Sequence, residues 1–327
     1  MANGTAFLGA ARPTGAEKTS SVVKTVYLIR HGEALHNVLE QQAKHGAAAE
    51  AHALGLSKGT AQFNALVVEA RRRVLNDETL ADAELTPAGE AQAEDARREV
   101  EMLAAKYGLP LPTRVLVSPL QRALQTAGII FPDHPCVQVH SELRERRTGL
   151  PCDQPSSPKM MKNSPSFSSF DFSDILSEEE ATYSEEGIRG GFFEQEEGIR
   201  VEETGCMMTG RRVQNRSISS MSDIDGLEDA AQLRLRTFQL IDLLSKLEDE
   251  ALCVVTHKGY LRELERGPFG QSKAPEFGTA EVRVYDVLLS TDGLATSLRY
   301  CRSESSFATA PVPAELISRT AARLMGA

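Results

Sequence analysis

KTVYLIRHGEALHN, residues 24–37, is the stretch that decides the architecture of this chain. Its first six residues, KTVYLI, are short, β-branched and aromatic, the composition of a buried strand. The strand runs without a break into Arg30, His31 and Gly32. Open α/β sheets bind their ligands at the carboxyl ends of strands, so an arginine and a histidine delivered side by side at such an end suggest a site. Gly32 is expected to let the backbone turn close to whatever those side chains hold.

The pattern recurs along the chain. TRVLVS (113–118) reads as a second buried strand, ending at Ser118 and leading to Arg122 at the start of a helix from Pro119. CVQVH (136–140) and EALCVVT (250–256) read as further strands, the latter running into His257, Lys258 and Gly259. AEVRVYDVLL (280–289) reads as another. Helices are expected between them. The Ala- and charge-rich region from Val38 to Asn76 includes QFNALVVEARRRVL. In LTPAGEAQAEDARREVEMLAAKYG, Thr86 can cap, Pro87 fits the first turn and Gly108 fits just past the end. Ala96, Val100, Leu103, Ala104 and Tyr107 share one face of that helix. An amphipathic helix from Leu227 to Leu247 is expected to bury Leu235, Phe238, Ile241 and Leu244, and VPAELISRTAARLM (312–325) to close the chain as a helix. Strands alternating with helices predict a three-layer α/β/α sandwich around a mostly parallel central sheet.

Residues 1–22 read as a disordered tail and 23–327 as one domain. From Pro151 to Asp225 the composition turns Ser/Pro-rich and then acidic, with EEGIR at 185–189 and again at 196–200. Residues 178–224 lack a sustained apolar period and are expected to form a mobile insertion. Within it, Arg212 and Arg216 precede Ser217 and Ser219, a pattern suited to a basophilic kinase.

The 327 residues carry a net charge of −10, which disfavours binding of nucleic acid or anionic membrane by bulk charge. The apolar runs are too short to span a bilayer. Met1–Ser21 has no apolar segment of the secretory type, and an organelle transit role for it stays open. The five cysteines, Cys136, Cys152, Cys206, Cys253 and Cys301, form no C-x-x-C pair. Reduced thiols and a cytoplasmic setting are therefore expected. No metal site and no cofactor are expected. His36, His45, His52, His134 and His140 are expected at the surface.

If the strands ending in Arg30-His31, Ser118 and His257 are parallel neighbours, two arginines and two histidines meet at one sheet edge. Such a cluster calls for an anion, and a phosphoryl group suits it because arginine can pair two of its oxygens. A neutral histidine can attack phosphorus, and the leaving alcohol then needs a proton from an acid. ELRER supplies Glu142 and Glu145.

The ordered set resembles the histidine phosphatase superfamily, also called phosphoglycerate-mutase-like, and within it the plant and fungal mutase-like branch. RHGEALHN, ADAELTPAG, VSPLQRALQTA, ELRERRTGLPCD, VVTHKGYL and FGTAEVR carry the resemblance, over most of 24–150 and 227–300. The resemblance implies that His31 is the phosphorylated nucleophile and that Arg30, Arg122 and His257 form the phosphate pocket. It implies Glu145 as the acid/base, with Glu142 as the alternative, and Asn37 near the phosphate. The chain lacks the N-x-F-x-G-W-x-D stretch of true mutases, and Lys258-Gly259-Tyr260 replaces their G-N-S after the second histidine. Gln154 and Pro155 stand where the branch usually carries basic residues. The missing stretch after Asn37 and the replaced G-N-S favour a phosphomonoester hydrolase acting on a small phosphorylated metabolite. A phosphoglycerate-mutase-type transferase and a non-catalytic binding protein on the same fold are the alternatives.

Overall fold

The computed structural model describes residues 21–177, 227–290 and 295–302. Its centre is one six-stranded sheet of β1 (Ser21–Arg30), β2 (Arg114–Val117), β3 (Val137–Val139), β4 (Ala251–Thr256), β5 (Val282–Ser290) and β6 (Ala295–Arg302). The strand order is β3-β2-β4-β1-β5-β6. β3, β2, β4 and β1 run parallel to one another, whereas β5 and β6 are antiparallel additions at the β1 side.

Strand alternation sorts the apolar side chains into two cores. Tyr27, Ile29, Val115, Val117, Cys253 and Val255 face α3 (Pro87–Tyr107) and α4 (Gln121–Ile130), the longer helix contributing Ala96, Val100 and Leu103. Val26, Leu28, Leu116, Leu252 and Val254 face the opposite layer, built from Leu240, Ile241 and Leu244 of one helix and Tyr260, Leu261 and Leu264 of another. The sandwich is thus helix, sheet, helix, as expected. Full burial of each such Val, Leu or Ile is worth about 1.5–3 kcal/mol, which fixes the strand register from both faces.

The 38–76 region is two helices, α1 (Leu35–Ala53) and α2 (Ala61–Leu75), with α2 capped by Thr60, which accepts from the Phe63 N–H. They enclose a small cluster of Leu39, Val74 and Leu80 and share the Glu40–Arg71 ion pair. Thr86, Pro87 and Gly108 take the cap, first-turn and left-handed terminal positions read from the sequence. Tyr107, expected in the core, lies exposed in the last turn of α3.

After the short α5 (Pro158–Lys162) come α6 (Ala230–Lys246) and α7 (Lys258–Arg266). In α6 the expected core positions Leu235 and Phe238 are exposed, and only Ile241 and Leu244 are buried. The buried stripe is Leu233, Arg236, Thr237, Leu240, Ile241 and Leu244. Two polar residues belong to it, so counting apolar residues alone gave the wrong phase.

The change of composition at Pro151 is not a structural boundary. Met161, Phe167, Phe170, Phe172 and Ile175 pack into the α3/α4 core. The Asp171 backbone bonds to Val137 and Val139, covering the edge of β3. β1 begins at Ser21, inside the stretch expected to be tail, and Val22 and Val23 pair with Leu289 and Leu288 of β5. The rest of the expected tail, the 178–224 insertion with Ser217 and Ser219, and the closing helix at 312–325 lie outside the described residues.

Candidate active site

The carboxyl ends of β1, β4 and β2 lie side by side. His31 donates its backbone N–H to the Thr256 carbonyl at 2.9 Å, and Ser118 donates its own to the Val255 carbonyl at 3.1 Å. The strand pairing therefore brings His31 and His257 together, with ring centroids 5.1 Å apart. Close backbone packing gives Gly32 a further reason to be glycine. A Cβ there would press on the carbonyl of Gly89, and one on Gly89 would press on the Glu33 backbone. The two glycines let the exit of β1 lie directly against the first turn of α3. The Gly32 N–H also donates to the Thr126 hydroxyl at 3.0 Å.

His31 is buried, and its Nδ1 lies 2.6 Å from the Gly32 carbonyl. A carbonyl can only accept, so Nδ1 carries the proton and Nε2 keeps a free lone pair. Burial, and then the positive field of Arg122 and Arg30, hold its pKa well below 6.5. The ring is thus neutral at physiological pH. His257 is fully buried, its Nε2 lying 2.7 Å from the Ser118 hydroxyl. Burial and Arg122 lower its pKa likewise.

Arg122, on the first turn of α4, is clamped from one side. It donates Nη1 to the Cys152 carbonyl at 2.5 Å and Nη2 to Asp153 at 3.0 Å. Asp153 is itself held by the Thr148 hydroxyl at 2.6 Å. Arg30 donates Nη1 to the Phe277 carbonyl at 2.9 Å. Burial pulls the Arg30 guanidinium below its ordinary value, Glu145 opposes this, and Arg122 adds to it. The Nε atoms of Arg30 and Arg122 and the Nδ1 of His257 are buried with no protein partner.

Glu145 reaches the same region from the loop after β3. Its carboxylate accepts from the Gly259 N–H at 3.2 Å, in the first turn of α7, and from the Arg146 N–H at 2.9 Å. Glu142 instead belongs to a one-turn helix, Ser141–Leu143. Its charge helps to raise the pKa of the buried Tyr260, whose largest cause is burial. Asn37 serves the start of α1. Its Oδ1 accepts from the Ala34 N–H at 3.1 Å, and its Nδ2 donates to His36 Nε2 at 2.8 Å.

Three residues of this region escaped the sequence reading. Arg236 is buried in an ion pair with Glu228 at 2.6 Å and donates to the carbonyls of Glu142, Arg144 and Glu145. It therefore holds the loop that carries Glu145. Asp82 accepts from the backbone N–H groups of Gln121 and Ser156, tying the start of α4 to the segment after Asp153. The third is His36, expected at the surface. It is buried, with its ring centroid 6.5 Å from that of His31. The signal was position: His36 falls in the first turn of a helix that starts at the strand end, and that turn faces inward. His45 and His52 are exposed as expected, whereas His134 and His140 are half-buried, bonded to the Pro112 carbonyl and paired with Asp174. Lys258, at the rim, pairs with Glu276 at 3.3 Å. Among the described residues, no group of three His, Cys, Asp or Glu side chains is placed to hold a metal ion.

The arrangement offers a neutral imidazole with a free nitrogen, two guanidinium groups, and a carboxylate within the same cluster. That combination suits an anionic, tetrahedral guest. A family model described as histidine phosphatase superfamily (branch 1) matches residues 72–171, the stretch that includes Arg122 and Glu145. No curated protein matches the chain. Among solved structures, the chain is similar to a candidate α-ribazole-5'-P phosphatase of Escherichia coli K-12, at 18% identity and a TM-score of 0.42, over 87% of this chain and 98% of that one. It is also similar to a phosphoserine phosphatase of Entamoeba histolytica solved with 3-phosphoglyceric acid, at 16% identity and a TM-score of 0.40, over 86% and 98%. A mycobacterial glucosyl-3-phosphoglycerate phosphatase solved with VO3 shows 16% identity and a TM-score of 0.42, over 86% and 100%. Likenesses this distant say nothing about substrate. Over residues 72–171, the chain is similar to the histidine phosphatase superfamily, branch 1.

Proposed function

We propose that the protein is a phosphomonoester hydrolase that works through a phosphohistidine at His31. The observation that carries this reading is the set of buried polar atoms without partners: Nε of Arg30, Nε of Arg122 and Nδ1 of His257. Buried polar groups are almost always satisfied, and charged ones most of all, so this cluster is incomplete without a guest. The surplus is cationic, so the guest is an anion.

In the first step, Nε2 of His31 attacks phosphorus and forms the N–P bond as the P–O bond to the leaving alcohol breaks. Arg30, Arg122 and His257 hold the non-bridging oxygens while charge redistributes among them. Glu145, protonated, gives its proton to the departing alkoxide and becomes the carboxylate. In the second step a water attacks phosphorus and Glu145 takes its proton. The N–P bond then breaks, returning neutral His31 and free phosphate. His31 must be neutral to attack, and its burial beside the two arginines supports that state.

The substrate is a small phosphorylated metabolite, and hydrolysis rather than transfer to a second hydroxyl is the expected outcome. The stretches RHGEALHN, ELRERRTGLPCD and VVTHKGYL support a place in the plant and fungal mutase-like branch. The free thiols of Cys136, Cys152 and Cys253 support a cytoplasmic setting. The test is covalent trapping. Brief incubation with a ³²P-labelled monoester should leave acid-labile, base-stable label on the wild type and none on His31→Ala. Equal label on both would remove His31 from its role. A panel of phosphate esters, run beside 3-phosphoglycerate with catalytic 2,3-bisphosphoglycerate, should show phosphate release outrunning interconversion.

A further inference from the structure

We infer that His36 is an additional phosphoryl-binding side chain, donating its Nδ1–H to a non-bridging oxygen of the bound phosphomonoester. The inference rests on the reading of the His31 pocket as a phosphoryl site and extends it to a residue in the first turn of α1.

Asn37 Oδ1 accepts from the Ala34 N–H at 3.1 Å, which fixes the orientation of the amide. The group 2.8 Å from His36 Nε2 is therefore the Asn37 NH2, which has only protons to offer. So Nε2 of His36 accepts, and a neutral imidazole with one nitrogen accepting carries its proton on the other. That other nitrogen, Nδ1, is buried and has no protein partner. The residue is 6% exposed, so bulk water does not readily supply one.

The neighbours say what the missing partner is. The His36 ring lies 6.5 Å from the ring of His31. Arg122 and Arg30 both act on His36 electrostatically, and both also act on His31. A donor buried in this cationic company needs an acceptor, and an anionic oxygen satisfies the donor and the arginines together. Asn37 would then act in two ways, starting the helix and setting the tautomer of His36. Asn37 would thus be a positioning residue as well as a neighbour of the phosphate.

The experiment measures binding of inorganic phosphate to the full chain by titration calorimetry, and kcat/KM on p-nitrophenyl phosphate. The wild type is compared with His36→Phe, which keeps a ring and removes the donor. A hydrogen bond to a charged group carries about 10- to 100-fold in affinity, so both quantities should fall by a factor in that range. A purely structural role would lower thermal stability and leave phosphate affinity unchanged in the folded fraction. A variant-free measure guards against misfolding: in imidazole ¹⁵N spectra of the wild type, added phosphate should shift His36 Nδ1. Phosphate affinity equal in variant and wild type, or an unmoved His36 Nδ1 under saturating phosphate, overturns the inference and leaves the pocket reading intact. A wild type that binds no phosphate overturns both.

Discussion

Gly259→Ala offers a way to displace the proposed acid without altering its chemistry. Gly259 is the second residue of α7, and a Cβ built on it would strike the nearer carboxylate oxygen of Glu145. The same Cβ would stand 3.2 Å from the Glu145 carboxyl carbon and 3.5 Å from its other oxygen. Ordinary contacts between such atoms are about 3.5–4.0 Å, so the carboxylate must withdraw by roughly 1 Å. What yields is the end of a flexible side chain, so the fold should hardly suffer. Alanine also favours the helix over glycine by up to about 1 kcal/mol, so Tm should be unchanged or slightly higher. Catalysis should respond differently, because a misplacement of about 1 Å can cost on the order of 10²-fold. The loss should fall on esters whose leaving alcohol needs a proton, with kcat on alkyl phosphates down by ~10²-fold. With p-nitrophenyl phosphate, whose leaving group departs without help, kcat should fall by less than about threefold. Steady-state kinetics on both esters, with a thermal melt, are the whole assay. Equal losses on the two esters, or undiminished hydrolysis of alkyl phosphates, would refute the placement of Glu145 as the acid.

Arg236→Met should destabilise the protein by about 3–5 kcal/mol in urea unfolding, because it leaves Glu228 buried without its partner and frees the carbonyls of the Glu145 loop. Activity should survive prolonged EDTA treatment, since the arginines supply the charge that a metal would; loss restored by Zn²⁺ or Mg²⁺ would refute this. Stability should fall as pH drops below 6.5, the ordinary histidine value, because burial holds His31, His36 and His257 well beneath it in the folded state. The unfolded chain then binds more protons, so this contribution is complete above 6.5 and erodes below it. The slope approaches about 4 kcal/mol per pH unit for three such groups, to be read from urea midpoints between pH 7.5 and 5.5.

The sequence by itself determined the strands and the polar residues at their carboxyl ends, while the side-by-side order β2-β4-β1 that brings those ends together came from the tertiary structure. A buried strand must be apolar on both faces, so KTVYLI, TRVLVS and EALCVVT announce themselves without reference to the rest of the chain. Their carboxyl ends can be named as soon as the strands are. Thr86, Pro87 and Gly108 were likewise legible, because helix caps are local chemistry. Tertiary structure alone decided the phase of α6, since Arg236 is buried there against the carbonyls of Glu142, Arg144 and Glu145, more than 90 residues away. It also decided the meaning of the Ser/Pro segment, whose phenylalanines find their core only once β3 and α4 are in place. The same holds for Gly32, whose reason for being glycine is the backbone of Gly89. His36 is the clearest instance: by composition it is a polar residue on a helix, and only the packing of α1 against the strand ends turns it inward. Local pattern records what a residue needs from its immediate neighbours, whereas burial of a polar side chain depends on distant groups that the local pattern does not contain.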